Sequence, residues 1–144
     1  MQEFIDFVLR NALMCGIWLA LLVMVVISFV QAKMNKVATV THAQATMLIN
    51  REDAKVIDVR SQDEFRKGHI VNAIHTELAE IKNNQLAAVE KLKNSPIIVV
   101  CNAGISSSQA AKMLVQAGFD KVHNLQGGMT EWNAANLPTV RGKR

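Results

Sequence analysis

The run Cys101-Asn102-Ala103-Gly104-Ile105-Ser106 combines residue types and spacing that can do chemistry. It follows Ile97-Ile98-Val99-Val100, an apolar stretch admitted by Pro96 and short enough to be a strand buried on both faces. It leads into Ser107 to Ala117, which has helical spacing and Gly118 as its stop. In open parallel sheets ligands bind beyond the carboxyl ends of strands, which is where Cys101 falls. Backbone amides turned inward, ahead of a helix N-terminus, present partial positive charge. That field favours thiolate over thiol and can hold an anion. Ser106, Ser107 and Ser108 add hydroxyl donors, and one of them can cap the helix at Ser107. Taken alone, the pattern also fits an inert buried thiol, since free cysteine is among the most buried residue types.

The elements around this loop alternate between strand and helix. A strand is expected over Lys36 to Val40, then a capping box Thr41-His42-Ala43-Gln44 opening a helix to about Asn50. Lys55 to Val59 reads as a strand, and Ser61-Gln62-Asp63-Glu64 repeats the capping spacing before a short helix ending near Gly68, where a helix C-terminus favours glycine. Ile70 to His75 can hold another strand. Leu78, Ile81, Leu86, Val89 and Leu92 give residues 77–93 helical spacing, with a weak point at Asn83-Asn84. Lys121 to Leu125 is a last strand and Met129 to Ala135 a last helix. Such alternation implies an α/β domain with a parallel sheet.

Ahead of this domain, 17 of the 19 residues from Ala12 to Val30 are hydrophobic and none is charged. At about 1.5 Å per residue they span roughly the 30 Å hydrocarbon core, and no polar stripe marks a face to bury against protein. A transmembrane helix is expected. A cleaved signal peptide fits less well, because Glu3 and Asp6 outweigh Arg10 before the run and the run exceeds the usual length. Lys33 and Lys36 follow the span against Arg10 before it, so the positive-inside rule puts the C-terminal side in the cytoplasm. The expected organisation is a short N-terminal segment 1–11, a transmembrane helix 12–30, a linker 31–36 and a domain 37–141.

Of 144 residues, 50% are hydrophobic, enough for a core and too many for a disordered chain. The net charge of +4 is scattered, and with 5% aromatics and no Tyr a stacking platform for single-stranded nucleic acid is not expected. Two distant cysteines, Cys15 and Cys101, cannot form a disulfide framework, which favours a reducing compartment. Four scattered histidines and one cysteine outside the apolar run give no metal-ligand spacing, so no metal and no cofactor are expected.

The residues after the span resemble the rhodanese family of sulfurtransferases. The resemblance rests on Val56-Ile57-Asp58-Val59-Arg60, Glu64-Phe65, Gly68-His69-Ile70 and Ala73, then the Cys101 loop, then Val122 and Leu125 leading to Gly127-Gly128 and Trp132. It covers about residues 37–141, in the family's order and spacing. It implies a single rhodanese-like domain, a five-stranded parallel sheet flanked by helices, whose cysteine accepts a sulfane sulfur as a persulfide. Cys101 would carry the sulfur, and the amides of Asn102, Ala103, Gly104, Ile105 and Ser106 would cradle it.

Members that cleave thiosulfate often place a cation in this loop, where this chain has Asn102, Ile105 and Ser106, so a dianion must rely on amides and the helix dipole. A phosphatase or arsenate reductase of the same fold would carry an arginine where Ser107 stands and a histidine where Val100 stands, which argues against that reading. Asp58 and Arg60 are expected to organise a turn through an ion pair, and His69 to be a hydrogen-bonded packing residue beside the site. Gly127-Gly128 suggests positive φ or close backbone approach next to the loop, and Trp132 is expected in the core. The expected partners are a small sulfur donor or a persulfidated protein, the lipid bilayer and a membrane-protein partner, with no nucleic acid. The competing reading is a non-catalytic docking module.

Overall fold

Alternate side chains of one buried strand build both layers of this domain's core. In the computed structural model, which describes residues 1–34 and 37–142, that strand is β5 (Ile97–Val100), and all four of its residues are fully buried. Ile98 and Val100 point into a cluster with Val56, Phe65, Leu125 and Trp132. Ile97, Val99 and Cys101 point to the opposite face, among Ile57, Ile81, Ala110, Leu114 and Phe119. This is the period of two expected of a strand covered by helices on both sides.

The sheet is five-stranded and parallel, in the order β1 (Ala38–Val40), β6 (Val122–Leu125), β5, β2 (Lys55–Asp58) and β4 (Ile74–His75). The helices between and after the strands are α3 (His42–Glu52), α4 (Gln62–Lys67), α5 (Leu78–Lys82), α6 (Ile105–Gln116) and α7 (Gly128–Ala134). The architecture is the α/β, five-stranded parallel arrangement that the strand and helix alternation implies. Both expected capping boxes are formed, at Thr41 with Gln44 and at Ser61 with Glu64. Lys36, the expected first residue of β1, lies outside the described residues.

Three local expectations are corrected. Residues 77–93 are not one helix: α5 ends at Lys82, Asn84 takes φ 56°, and a 3-10 turn follows over Glu90–Leu92. Leu78, Leu86, Val89 and Leu92 nonetheless all pack in the same core cluster. Their spacing served burial, and the Asn83-Asn84 pair ended the helix first. Residues 70–75 are not one strand either. His69–Ile70 forms β3, which pairs antiparallel with β7 (Thr139–Val140) in a separate two-stranded sheet, and the chain turns before β4. Gly68 does follow α4, but at φ 167° it is extended and does not supply the left-handed cap.

The N-terminal unit consists of α1 (Gln2–Arg10) and α2 (Ala12–Met34), separated at Asn11. Asn11 turns both its amide and its side-chain Nδ2 onto the Phe7 carbonyl, at 3.1 and 3.0 Å. Within α2, Ala12–Val30 is long and apolar enough to cross a membrane, and its large side chains, Leu13 and Phe29 among them, are exposed.

Candidate active site

The Cys101 loop is shaped from outside by α7. The amide of Met129 donates to the Cys101 carbonyl at 2.8 Å, and Thr130 donates to the Asn102 carbonyl through its amide at 3.0 Å and its hydroxyl at 2.8 Å. With these carbonyls drawn outward, the following amides turn inward to the sulfur. The approach is close enough to need glycine. A Cβ on Gly128, which sits at φ 54°, would lie 2.2 Å from the Cys101 carbonyl oxygen. Gly104, at φ 88°, makes the second bend and is the N-cap of α6.

The Gly104 amide donates to Cys101 Sγ at 3.1 Å, and Ser107 Oγ lies 3.2 Å from the same sulfur. Burial pushes the Cys101 thiol up. The Ser107 hydroxyl and the amides of Ser107, Ala103 and Gly104 outweigh it, holding the thiol below its ordinary value. Ser107 is not the cap: α6 begins two residues earlier, and Ser107 is buried in its first turn. Its hydroxyl donates to Asn124 Oδ1 at 2.6 Å, and Asn124 Nδ2 donates to the Gly104 carbonyl at 3.1 Å, closing a ring of bonds behind the sulfur. Ser107 has one proton and two acceptors for it, so the short bond to Asn124 makes the amides the thiolate's constant support.

A cleft of about 440 Å³ opens onto Cys101. Asn102, Ala103, Ile105 and Ser106 form its loop side, all exposed, with Ile105 at 79%. Opposite stands α4, whose Glu64 accepts from Asn102 Nδ2 at 2.5 Å through Oε1 and from Ser61 Oγ at 3.0 Å through Oε2. The Asn102 bond is the largest influence on this carboxyl and holds it below the usual carboxylate range. The Ser61 bonds and the Arg60 charge add to that effect, against a smaller opposing contribution from burial.

Arg60 also lines the cleft, but its Nε and Nη2 bond the fully buried Asp58, at 2.9 and 2.6 Å, and Nη2 also donates to the Gly68 carbonyl. His69 lies away from the cleft, stacked on Phe65 at 3.7 Å between ring centroids, with Nδ1 2.8 Å from the Phe65 carbonyl. Trp132 is buried and donates to the Pro138 carbonyl.

Two participants were missed from sequence: Asn124, and Glu64 as a wall of the site. Asn124 had a signal, a polar residue in strand phase with apolar Val122 in the pattern Val122-His123-Asn124-Leu125, on a face expected to be buried. Glu64 stood out in its capping box and in the family resemblance, but neither placed it at the cleft, because its partner Asn102 lies 38 residues away.

Comparison with known proteins agrees with this geometry. The chain is 43% identical over 143 residues to the uncharacterized protein YibN of Escherichia coli K12, covering 99% of this chain and all of that one. It is 37% identical over 95 residues to the thiosulfate sulfurtransferase GlpE of Coxiella burnetii, covering 66% of this chain and 86% of GlpE. A rhodanese-related protein of Thermoplasma volcanium shares the fold, with a TM-score of 0.63 at 24% identity, over 73% of this chain and 99% of that one. Residues 41–135 match the rhodanese-like domain family, and it is to this family that the chain belongs.

Proposed function

We propose that the chain is a membrane-anchored sulfurtransferase that carries sulfane sulfur as a persulfide on Cys101. The observation that carries this reading is the sulfur itself, which faces an open cleft with the Gly104 amide at 3.1 Å and a thiol held below its ordinary value. A thiolate attacks the outer sulfur of a donor. The amides of Ala103 and Gly104, which already act on the sulfur, then hold the negative persulfide together with those of Asn102, Ile105 and Ser106, as oriented dipoles hold any anion at a helix N-terminus. Asp58, Arg60 and His69 position the surrounding backbone and take no part in the transfer. The relative named a thiosulfate sulfurtransferase supports the reaction class.

The apolar helix supports anchoring, and Lys33 and Lys36 against Arg10 support a domain on the cytoplasmic face of the inner membrane. The partners are then the bilayer and a sulfur donor, small or protein-borne.

The test is intact-mass measurement of the full chain in detergent, in a Cys15→Ser background, after exposure to thiosulfate, polysulfide or a persulfidated protein. A gain of one sulfur that dithiothreitol removes, lost in Cys101→Ser, is the expected result. No gain from any donor overturns the enzyme. The docking-module reading, favoured by the exposed Ile105 and the lack of a cation among the loop side chains, would then replace it.

A further inference from the structure

The charges around the Cys101 cleft do not balance. Arg60 pairs with buried Asp58 at 2.6 Å, so the trio of Asp58, Arg60 and Glu64 carries one net negative charge, and of its two carboxylates only Glu64, tied to Asn102, lines the cleft. Lys67 and Arg141 line an adjoining groove that Arg60 and Glu64 also border, and not the cleft itself. An approaching thiosulfate dianion therefore meets a fixed carboxylate, and like charges at short range repel. The rest of the lining mixes apolar Val59, Leu78 and exposed Ile105 with uncharged polar Ser61, Asn102 and Ser106, so Glu64 and Arg60 are its charged side chains.

We propose that Glu64 determines donor specificity, excluding dianionic sulfur donors and admitting organic persulfides whose carrier is neutral or cationic. This rests on the sulfurtransferase reading. In the favoured step the Cys101 thiolate attacks the outer sulfur of R–S–SH, a Sγ–S bond forms as the donor's S–S bond breaks, and R–S⁻ leaves and takes a proton from water. Sulfur is exchanged between thiols of like oxidation state, so no external oxidant or reductant enters.

The test uses the full chain with Cys15→Ser in an uncharged detergent. Cys101 is first treated with a cationic and an anionic methanethiosulfonate of matched size, which form mixed disulfides whether or not the protein transfers sulfur. Relative to a free thiol, the wild type should favour the cation by roughly fivefold, and Glu64→Gln, which keeps the hydrogen-bonding shape, should remove most of that preference. Asp63→Asn, the same change of net charge at an exposed neighbour outside the cleft, should leave it in place. Salt at about 1 M should collapse it in the wild type, a result that needs no variant to fold.

Persulfide formation is then followed with cysteamine persulfide, 3-mercaptopropanoate persulfide, a persulfidated lysine-rich peptide and thiosulfate. The two cationic carriers should lead and thiosulfate trail, with Glu64→Gln narrowing the gap, and the small and peptide arms separate the two sources of donor. A reagent preference that is absent, insensitive to salt, or equally reduced by Asp63→Asn overturns the charge gate. An unchanged donor ranking in Glu64→Gln overturns the specificity claim. Failure of every donor to persulfidate Cys101 overturns the sulfurtransferase reading and the donor preference with it, while the reagent ratio still decides the gate.

Discussion

The carboxyl ends of β2 and β5 lie side by side, Asp58 opposite Val100, and each delivers an ionisable side chain to the same edge of the sheet. They are used in opposite ways. At β2, Asp58 and Arg60 satisfy one another through bonds of 2.6 to 3.1 Å, and the Gly68 carbonyl takes a further donor, so this turn has spent its polar capacity internally. At β5, Cys101 is a single soft group into which amides and a hydroxyl point from one side while a cleft opens on the other. Both ends carry charge-capable residues beyond a parallel strand, so position alone does not make a reactive site. What separates them is whether a partner within the same turn has already neutralised the group.

The largest expected effect breaks the β2 side. Asp58→Ala leaves Arg60, about 9% exposed, without its counter-charge, and should cost about 3–5 kcal/mol in denaturant unfolding of the full chain. A loss under about 1 kcal/mol would mean the pair is not what holds the turn.

Next comes Gly128→Ala, where the new methyl would collide with the Cys101 carbonyl at φ 54°. The strain of that backbone region alone should cost about 1–2 kcal/mol, and the clash adds to it. Because α7 would be pushed off the loop, thiol alkylation should also slow. Unaltered stability and reactivity would show that α7 does not shape the loop.

A smaller effect is expected on the β5 side from Ser107→Ala. Ser107 shares its one proton between Asn124 and the sulfur, so losing that shared bond should raise the thiol pKa and slow alkylation at neutral pH by roughly two- to threefold, the low end of the ~0.5–1.5 kcal/mol of a full bond. Because Ser107 also donates to Asn124 at 2.6 Å, no change in rate would assign the whole effect to the amides.

The finest test is the pH dependence of alkylation in the wild type. With the native thiol held below its ordinary value, the midpoint should lie below the ~8.5 of a free thiol and below that of the denatured chain. By linkage, the stability this group contributes is present above the unfolded thiol's pKa and fades as pH falls through the lower native value. A midpoint at or above the free value would make Cys101 as inert as a core thiol.

Sequence alone determined what depends on near neighbours. The alternation of apolar runs gave the order of strands and helices, the capping boxes at Thr41 and Ser61 marked helix starts, and the buried run Ile97–Val100 put Cys101 at a strand end. Asp58 and Arg60 were legible as an ion pair because a single residue, Val59, separates them. The tertiary structure decided the rest. Whether residues 77–93 stay helical depended on a core that accepted their leucines without a continuous helix, and the pairing of His69–Ile70 with Thr139–Val140 joined segments about half the chain apart. Asn124 reaches Ser107, and Glu64 reaches Asn102, only because parallel crossovers return distant segments to one edge of the sheet. Periodicity records which face of an element is buried, but not which element it will meet, and a site assembled from several crossovers is set by that second choice.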